Sequence, residues 1–210
     1  MNSIQQFLNQ RVSYHVHELS LPAPNQQQMT DILQAAMSTP DHGKLKPWHF
    51  VVINQARIGE LINLLQNAWQ QANSSLDPQR AKRLASYLKQ APSIVLVSAA
   101  LTEPSPISKQ DQVFSAAAAC QMILLAADAL GFGGVWYSTD AVELPNVRQL
   151  LGLQDKHQPV GFLVLGSPTN PRSKARSDVS EHSFEWLGAT QLSPWGQSET
   201  VNQEATNEHS

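Results

Sequence analysis

Apolar residues recur along this chain at helical spacing in some stretches and at alternating or continuous spacing in others, and the switches between the two outline its elements. Ser3 is placed to cap a short helix on which Ile4, Phe7 and Leu8 share one face. The chain then loosens through RVSYHVHELSLPAP, an arm that Pro22 and Pro24 end. From Asn25 to Met37, the residues Met29, Ile32, Leu33, Ala36 and Met37 return at helical spacing until Pro40 stops the helix. The loop TPDHGKLKP leads into Trp48 to Asn54, where WHFVVIN is aromatic and β-branched and predicts a strand. Helical patterns cover roughly Ala56 to Ala72 and Pro78 to Ala91, joined by the polar turn NSSLD, and SIVLVSAA follows as a strand.

Ser108 to Leu130 reads as a long helix whose middle, SAAAACQMILLAADAL, is apolar almost all the way round. Such a helix is expected to be buried on every side, at the centre of the molecule. Gly131 ends it, GFGGVWYS supplies another strand, Asp140 to Gly152 a helix, and VGFLVLGSP a final strand. After Pro168 the composition turns polar. Residues 1–190 therefore read as a single domain and 191–210 as a polar, flexible tail too poor in apolar residues to pack by itself. This order of elements predicts an α+β fold, a mixed sheet covered by helices.

Composition narrows the partners. A chain of 210 residues with 41% hydrophobic and 15% charged positions is long enough for one real core. A net charge of −3 leaves no field of one sign to hold nucleic acid or an anionic membrane surface, so neither is expected as a partner. Cys120 is the single cysteine, which excludes an intrachain disulfide and fits a reducing cytoplasm. Its apolar helix marks it as packing, because greasy surroundings raise a thiol's pKa. The N-terminus has no basic stretch followed by a continuous apolar one, so no secretion signal is expected. The longest apolar runs, Ser93 to Leu101 and Met122 to Leu130, are shorter than the roughly 20 residues of a membrane-spanning helix.

Four patches carry candidate chemistry. Arg11-Val12-Ser13 offers a guanidinium, a hydroxyl and backbone N–H groups within three residues, a set suited to a phosphate or to a plain surface loop. Thr39 to Phe50 concentrates polar and cationic groups between a helix end and a strand. Within it Lys44 or Lys46 could face a developing negative charge, while His42 and His49 lack a third ligand for a metal. Gly131 to Ser138 allows close backbone approach to a planar ligand, but opens a strand after a helix and so is no dinucleotide fingerprint. Finally, Gly166-Ser167-Pro168 is followed by Arg172, Lys174 and Arg176, which form either a phosphate-directed cluster or an exposed basic turn. No Ser-His-Asp order, P-loop or paired-carboxylate pattern appears.

In succession, RVS, Thr39-Pro40-Asp41-His42 with Pro47-Trp48-His49-Phe50, Leu130-Gly-Phe-Gly-Gly-Val-Trp and Val160-Gly-Phe-Leu-Val-Leu-Gly-Ser-Pro resemble the FMN-dependent nitroreductase superfamily, in particular its minimal YdjA-like branch. The resemblance runs in unbroken order from Ile4 to Pro168. It implies an α+β fold with a mixed or antiparallel central sheet, working as an intertwined homodimer with FMN in the subunit interface. By motif position Arg11, Val12 and Ser13 would hold the phosphate and ribityl end, and Trp136, Tyr137 and Ser138 would line the flavin. Ser38 and His42 would reach in from the other subunit, and Ala126 to Gly131 corresponds to a stretch proposed to contact the nicotinamide cofactor.

Two departures stand out: Val12 replaces a second arginine, and Ser38 replaces a basic residue. Arg172 or Lys174 could supply the missing charge. The implied activity is NAD(P)H oxidation with NADH or NADPH as reductant, passing two electrons by a ping-pong route to a nitroaromatic, quinone or similar small-molecule acceptor. Flavin N5 would carry the chemistry, no side chain would serve as catalytic acid or base, and Lys44 would have an electrostatic role. The alternatives are a flavin-binding protein of the same fold with a different electron partner or no turnover, and a cofactor-free structural dimer.

Overall fold

Asn2, not Ser3, caps the first helix, α1 (Ser3–Gln10): its side chain accepts from the Gln5 N–H at 2.8 Å and the Gln5 side chain accepts from the Asn2 N–H at 3.3 Å. The computed structural model describes residues 2–71, 78–137, 142 and 144–196. A second reciprocal cap, between Asn25 and Gln28, starts α2 (Gln26–Ala36). Two strands fall where the pattern predicts them, β2 (Trp48–Asn54) and β3 (Ser93–Ala100). Between these lie α3 (Gln55–Gln71) and α4 (Pro78–Lys89), and after β3 comes α5 (Lys109–Ala129), capped by Ser108. The remaining core elements are β4 (Gly133–Tyr137), α6 (Pro145–Leu150) and β5 (His157–Pro168). Pro145 occupies the first turn of α6, where a missing N–H costs nothing, and the expected start at Asp140 lies outside the described residues. A two-residue strand, β1 (Leu19–Ser20), escaped the sequence pattern because two residues cannot show an alternation.

The sheet has five strands, and every strand pair in it is antiparallel. The long β5 is its axis: β3 flanks it on one side, with β2 beyond, while β4 also pairs β5 and β1 pairs its end at Leu19 to Pro168. A bulge between Val97 and Ser98 shifts the β3–β5 register. Alternate side chains enter two cores. Ile94, Leu96, Phe162 and Val164 pack with α3, α4 and the arm residues Val12, Tyr14 and Val16, whereas Val95, Val97, Leu163 and Leu165 pack with α2 and α5. Because both faces are covered, SIVLVSAA reads as a continuous apolar run and not an alternating one. Each such buried Leu or Ile contributes on the order of 1.5–3 kcal/mol, and Ile123→Ala, at a fully buried position, would cost about 2–5 kcal/mol.

Helix α5 departs from its expectation. One side buries Gln112, Ser115, Ala116, Ala119, Cys120, Ile123, Leu124 and Ala127, but Phe114 is 57% exposed, Leu130 just beyond the helix 43%, and Ala118, Gln121 and Ala129 are also open. An all-round apolar sequence therefore has only half its surface covered within one chain. Among the described residues α5 is also the one helix long and apolar enough, by length and composition, to cross a membrane. Counting uninterrupted apolar residues missed this, because Gln121 and Asp128 break the run. Its packed side and the buried Gln112, which bonds the backbone of Thr102 and Ile107, are those of a core helix.

The chain divides into two units, residues 1–173 and 174–210. Within the second, β6 (Phe184–Gly188) and β7 (Gln191–Pro194) form a hairpin with Trp186 opposite Leu192. Residues 191–194 of the expected tail are thus a strand, and residues 197–210 lie outside the described residues.

Candidate active site

The arm after α1 is an extended segment whose side chains alternate. Val12, Tyr14 and Val16 enter the core, while Ser13 and His15 are exposed and Arg11 is half-buried. It lies along β4: the Tyr14 N–H donates to the Gly134 carbonyl at 3.2 Å, and the Val16 N–H donates to the Tyr137 hydroxyl at 3.3 Å. Close approach needs Gly133, where a Cβ would sit 2.7 Å from the Tyr14 ring. Alternation decides what each residue of the triplet can offer a ligand: Arg11 and Ser13 offer side chains, Val12 only its backbone. The Arg11 guanidinium donates to Ser13 Oγ at 3.3 Å, which leaves the hydroxyl proton directed elsewhere.

Three more charged groups surround this arm. Arg172 donates to the Ser13 carbonyl at 3.1 Å, forks onto both carboxylate oxygens of Glu18, and lies 5.1 Å from the centre of the Tyr14 ring. Those Arg172 bonds, with the His15 N–H at 2.6 Å, hold the Glu18 carboxyl down to about 2. Asp128, near the end of α5, moves the other way: burial pushes its pKa up, and the charge of Arg11 opposes that rise. Lys174 opens the second unit. Glu18 and Asp128 were missed by sequence reasoning. A carboxylate three residues after His15, placed to accept that residue's N–H, is the signal that would have found the first.

Ser38, His42 and Lys44 gather at another place, after the end of α2. The Ser38 hydroxyl donates to the Ala35 carbonyl at 2.7 Å, and His42, largely exposed, has Nδ1 3.9 Å from an Asp111 oxygen at the start of α5. Lys44 and Lys46 are exposed and both adopt left-handed backbone, φ 55° and 51°, a conformation that costs a side-chain-bearing residue of order 1 kcal/mol or more. Asp41 Oδ2 accepts from the Lys46 N–H at 2.7 Å, whereas Asp41 Oδ1 and Thr39 Oγ1 are buried without partners among the described residues. Nearby, His49 and His157 stack with ring centres 4.1 Å apart, and burial holds both below the usual histidine pKa. His157 Nδ1 accepts from the Gln154 N–H, which requires the neutral ring.

Asp111 and Asp128 bracket α5, so the two groups lie near opposite ends of that helix, about 25 Å apart at ~1.5 Å per residue. One chain does not bring Ser38 and His42 to Arg11 and Ser13. On β4, Trp136 and Tyr137 point to opposite faces of the sheet. The Trp136 indole, 39% exposed, lies so close over Gly161 that a Cβ there would meet its nitrogen at 1.9 Å, and it donates to the Val160 carbonyl at 3.3 Å. Tyr137 stacks on Tyr87, ring centres 5.9 Å apart, and burial raises its pKa. A planar ligand on the Trp136 side would meet that indole but only the backbone of Tyr137. Ser138 lies outside the described residues. Ala126 to Gly131 spans the last turn of α5 and the two residues after it, with Leu130 and Gly131 exposed. Cys120 is buried, its thiol pushed up to about 12, so it is packing.

The antiparallel sheet, covered by helices on both faces, defines an α+β class of fold. Residues 19–167 match the model of the nitroreductase family, and the chain belongs to that family. It is 33% identical over 168 residues to "Putative NAD(P)H nitroreductase YdjA" of Escherichia coli K12, covering 80% of this chain and 89% of that one. A similarly named protein of Haemophilus influenzae is 30% identical, covering 71% and 81%. Among solved structures, a nitroreductase-like family protein from Bacillus cereus superposes with a TM-score of 0.74 at 22% identity, covering 90% of this chain and 98% of the other. A nitroreductase with bound FMN from Bacteroides fragilis does so at 0.66 and 20% identity, covering 90% and 100%.

Proposed function

We propose that this protein is an FMN-dependent NAD(P)H oxidoreductase that works as a homodimer in the cytoplasm and reduces nitroaromatic, quinone or similar acceptors. The observation that carries the reading is the split site: phosphate-type donors at one end of α5, loop groups at the other, and an uncovered apolar helix face between them. Two copies packed through α5 in opposite directions would bring one chain's arm to the other chain's loop. The names of the relatives at 30% identity or more support NAD(P)H as reductant, and the bound FMN of the Bacteroides fragilis neighbour supports the cofactor.

The residues fit FMN. A guanidinium, a hydroxyl and extended backbone suit a phosphate, and a half-exposed indole over a glycine suits a ring. Bound FMN would supply two-electron transfer, alternately from NAD(P)H and to the acceptor, which predicts ping-pong kinetics. Arg11 and Ser13 would hold the phosphate, the backbone of Val12 and Tyr137 would border the flavin, and Trp136 would pack against it. The partner subunit's Ser38 and His42 would close the opposite side. Ser138 remains assigned to the same site by motif position, and Lys44 would offset negative charge on the ring.

An absorbance spectrum tests this directly. Purified protein should be yellow, bleach under anaerobic NADH or NADPH, and recover colour when a quinone is added. Protein that stays colourless after FMN is supplied overturns the cofactor, and colour that no reductant bleaches overturns the enzyme. Lys44→Met should lower the flavin potential, and an unchanged potential removes that lysine from the site.

A further inference from the structure

Arg172 resembles a phosphate ligand by charge and position, but its bonds describe a different task. Both N–H groups of Nη2 and one of Nη1 are directed at protein acceptors: the Ser13 carbonyl and the two oxygens of Glu18. Glu18 is itself tied in place. Its carboxylate accepts from the His15 N–H at 2.6 Å, and its carbonyl accepts from the N–H and hydroxyl of Thr169 at 2.9 and 3.1 Å. The guanidinium also covers the ring of Tyr14, the residue whose N–H joins the arm to β4. Thr169 and Arg172 therefore grip the arm from outside at Ser13 and Glu18, while β4 holds it from inside at Tyr14 and Val16.

We propose that Arg172 and Glu18 form a clasp that fixes the arm carrying Arg11 and Ser13 in its phosphate-binding shape, so that Arg172 is a positioning residue and not a phosphate ligand. The inference rests on the reading of Arg11 and Ser13 as the FMN phosphate site. Charge supports it: a guanidinium forked onto a carboxylate is neutralised as a pair, and Glu18 stays ionised far into acid, so the pair persists wherever the enzyme would work. Arg11, whose guanidinium bonds the Ser13 hydroxyl, is then the cation of the phosphate site.

The two roles predict opposite signs for one substitution. If Arg172 bound phosphate in competition with Glu18, then Glu18→Gln would release it and tighten FMN. If the two form a clasp, Glu18→Gln loosens the arm and weakens FMN. We expect Glu18→Gln and Arg172→Gln each to weaken FMN binding by about tenfold, with the double variant no worse than either alone. Riboflavin, which lacks the phosphate, should bind all variants within about twofold of the unsubstituted protein. The titrations follow quenching of flavin fluorescence on flavin-free protein, with riboflavin as the phosphate-free probe.

Tighter FMN binding by Glu18→Gln, or additive losses in the double variant, overturns the clasp. A second measurement stands apart from flavin altogether: amide exchange at Tyr14 and Val16 in flavin-free protein should speed up by at least about tenfold in either single variant, and unchanged exchange overturns the proposal even if affinity falls. Arg172→Lys, which keeps the charge but not the fork, should exchange as fast as Arg172→Gln and serves if the latter does not fold. Arg11→Gln separates the two layers of inference. If it leaves FMN binding intact while the exchange results hold, the phosphate reading has failed and the clasp on the arm has not.

Discussion

The two ends of α5 carry groups of similar polarity but treat them in opposite ways. At the arm end the polar groups pair with one another: Arg11 with Ser13, Arg172 with Glu18 and the Ser13 carbonyl, Tyr14 with Gly134. At the loop end Thr39 Oγ1, Asp41 Oδ1 and His49 Nδ1 are buried without a partner among the described residues, and Lys44 and Lys46 hold strained backbone. An unpaired buried polar atom costs about 1–3 kcal/mol, so the loop end carries a cost that the arm end does not, and under the proposed function a second copy would offset it. A single chain builds two incompatible halves about 25 Å apart, and the open face of α5 between them is where a second copy would join them.

The largest test removes that join. Phe114→Arg or Ala118→Glu places a charge on the open face of α5 without touching either core, so the chain should fold while the dimer dissociation constant rises by about 100-fold, the scale of a strong interface hot spot. Sedimentation should show monomer, and copurified flavin should be lost with it. A dimer of undiminished strength would remove α5 from the interface. Next, Arg11→Gln deletes the cation of the arm end alone. It should weaken FMN binding by about 10- to 100-fold, as expected for a charge-assisted hydrogen bond, and leave riboflavin unchanged by fluorescence titration.

Acid should separate the ends further. His49 and His157 have pKa values lowered by burial, so the unfolded chain takes up protons first, and stability at the loop end falls as pH drops below about 6.5. The Glu18 contribution is complete above about 4.5 and is lost only as pH approaches about 2. Urea midpoints should therefore drop between pH 7 and 5, and His49→Gln should flatten that drop; an unaltered slope would acquit the stacked pair. The smallest effect belongs to Asp128→Asn. Removing a carboxylate that faces Arg11 should tighten FMN by about two- to threefold, and weaker binding would mean that Asp128 orients Arg11 instead of competing for it.

Much of the layout was legible because the signals are local. Strands β2 and β3 appear over the predicted residues, since an aromatic, β-branched stretch and a long apolar run bounded by polar residues leave few alternatives. The hairpin of β6 and β7 was not legible, because its Trp186 and Leu192 sit in polar surroundings and stay exposed. At the site, the triplet Arg11-Val12-Ser13 was visible as a donor set, but its alternation between core and surface, and so the demotion of Val12 to a backbone role, needed the partner strand β4. Glu18 and Arg172 are 154 residues apart in sequence, and nothing local announces that pair.

From its residues alone this chain specified a sheet covered by helices, the long apolar helix and the order of motifs that places it in its family, because periodicity and turn chemistry act over a few residues at a time. Tertiary structure alone decided that half of that helix stays uncovered, that the candidate site is divided between its ends, and that Arg172 faces a carboxylate. Those facts depend on which distant surfaces meet, and the free energy of such meetings is carried by packing and charge pairing that no short window of sequence contains.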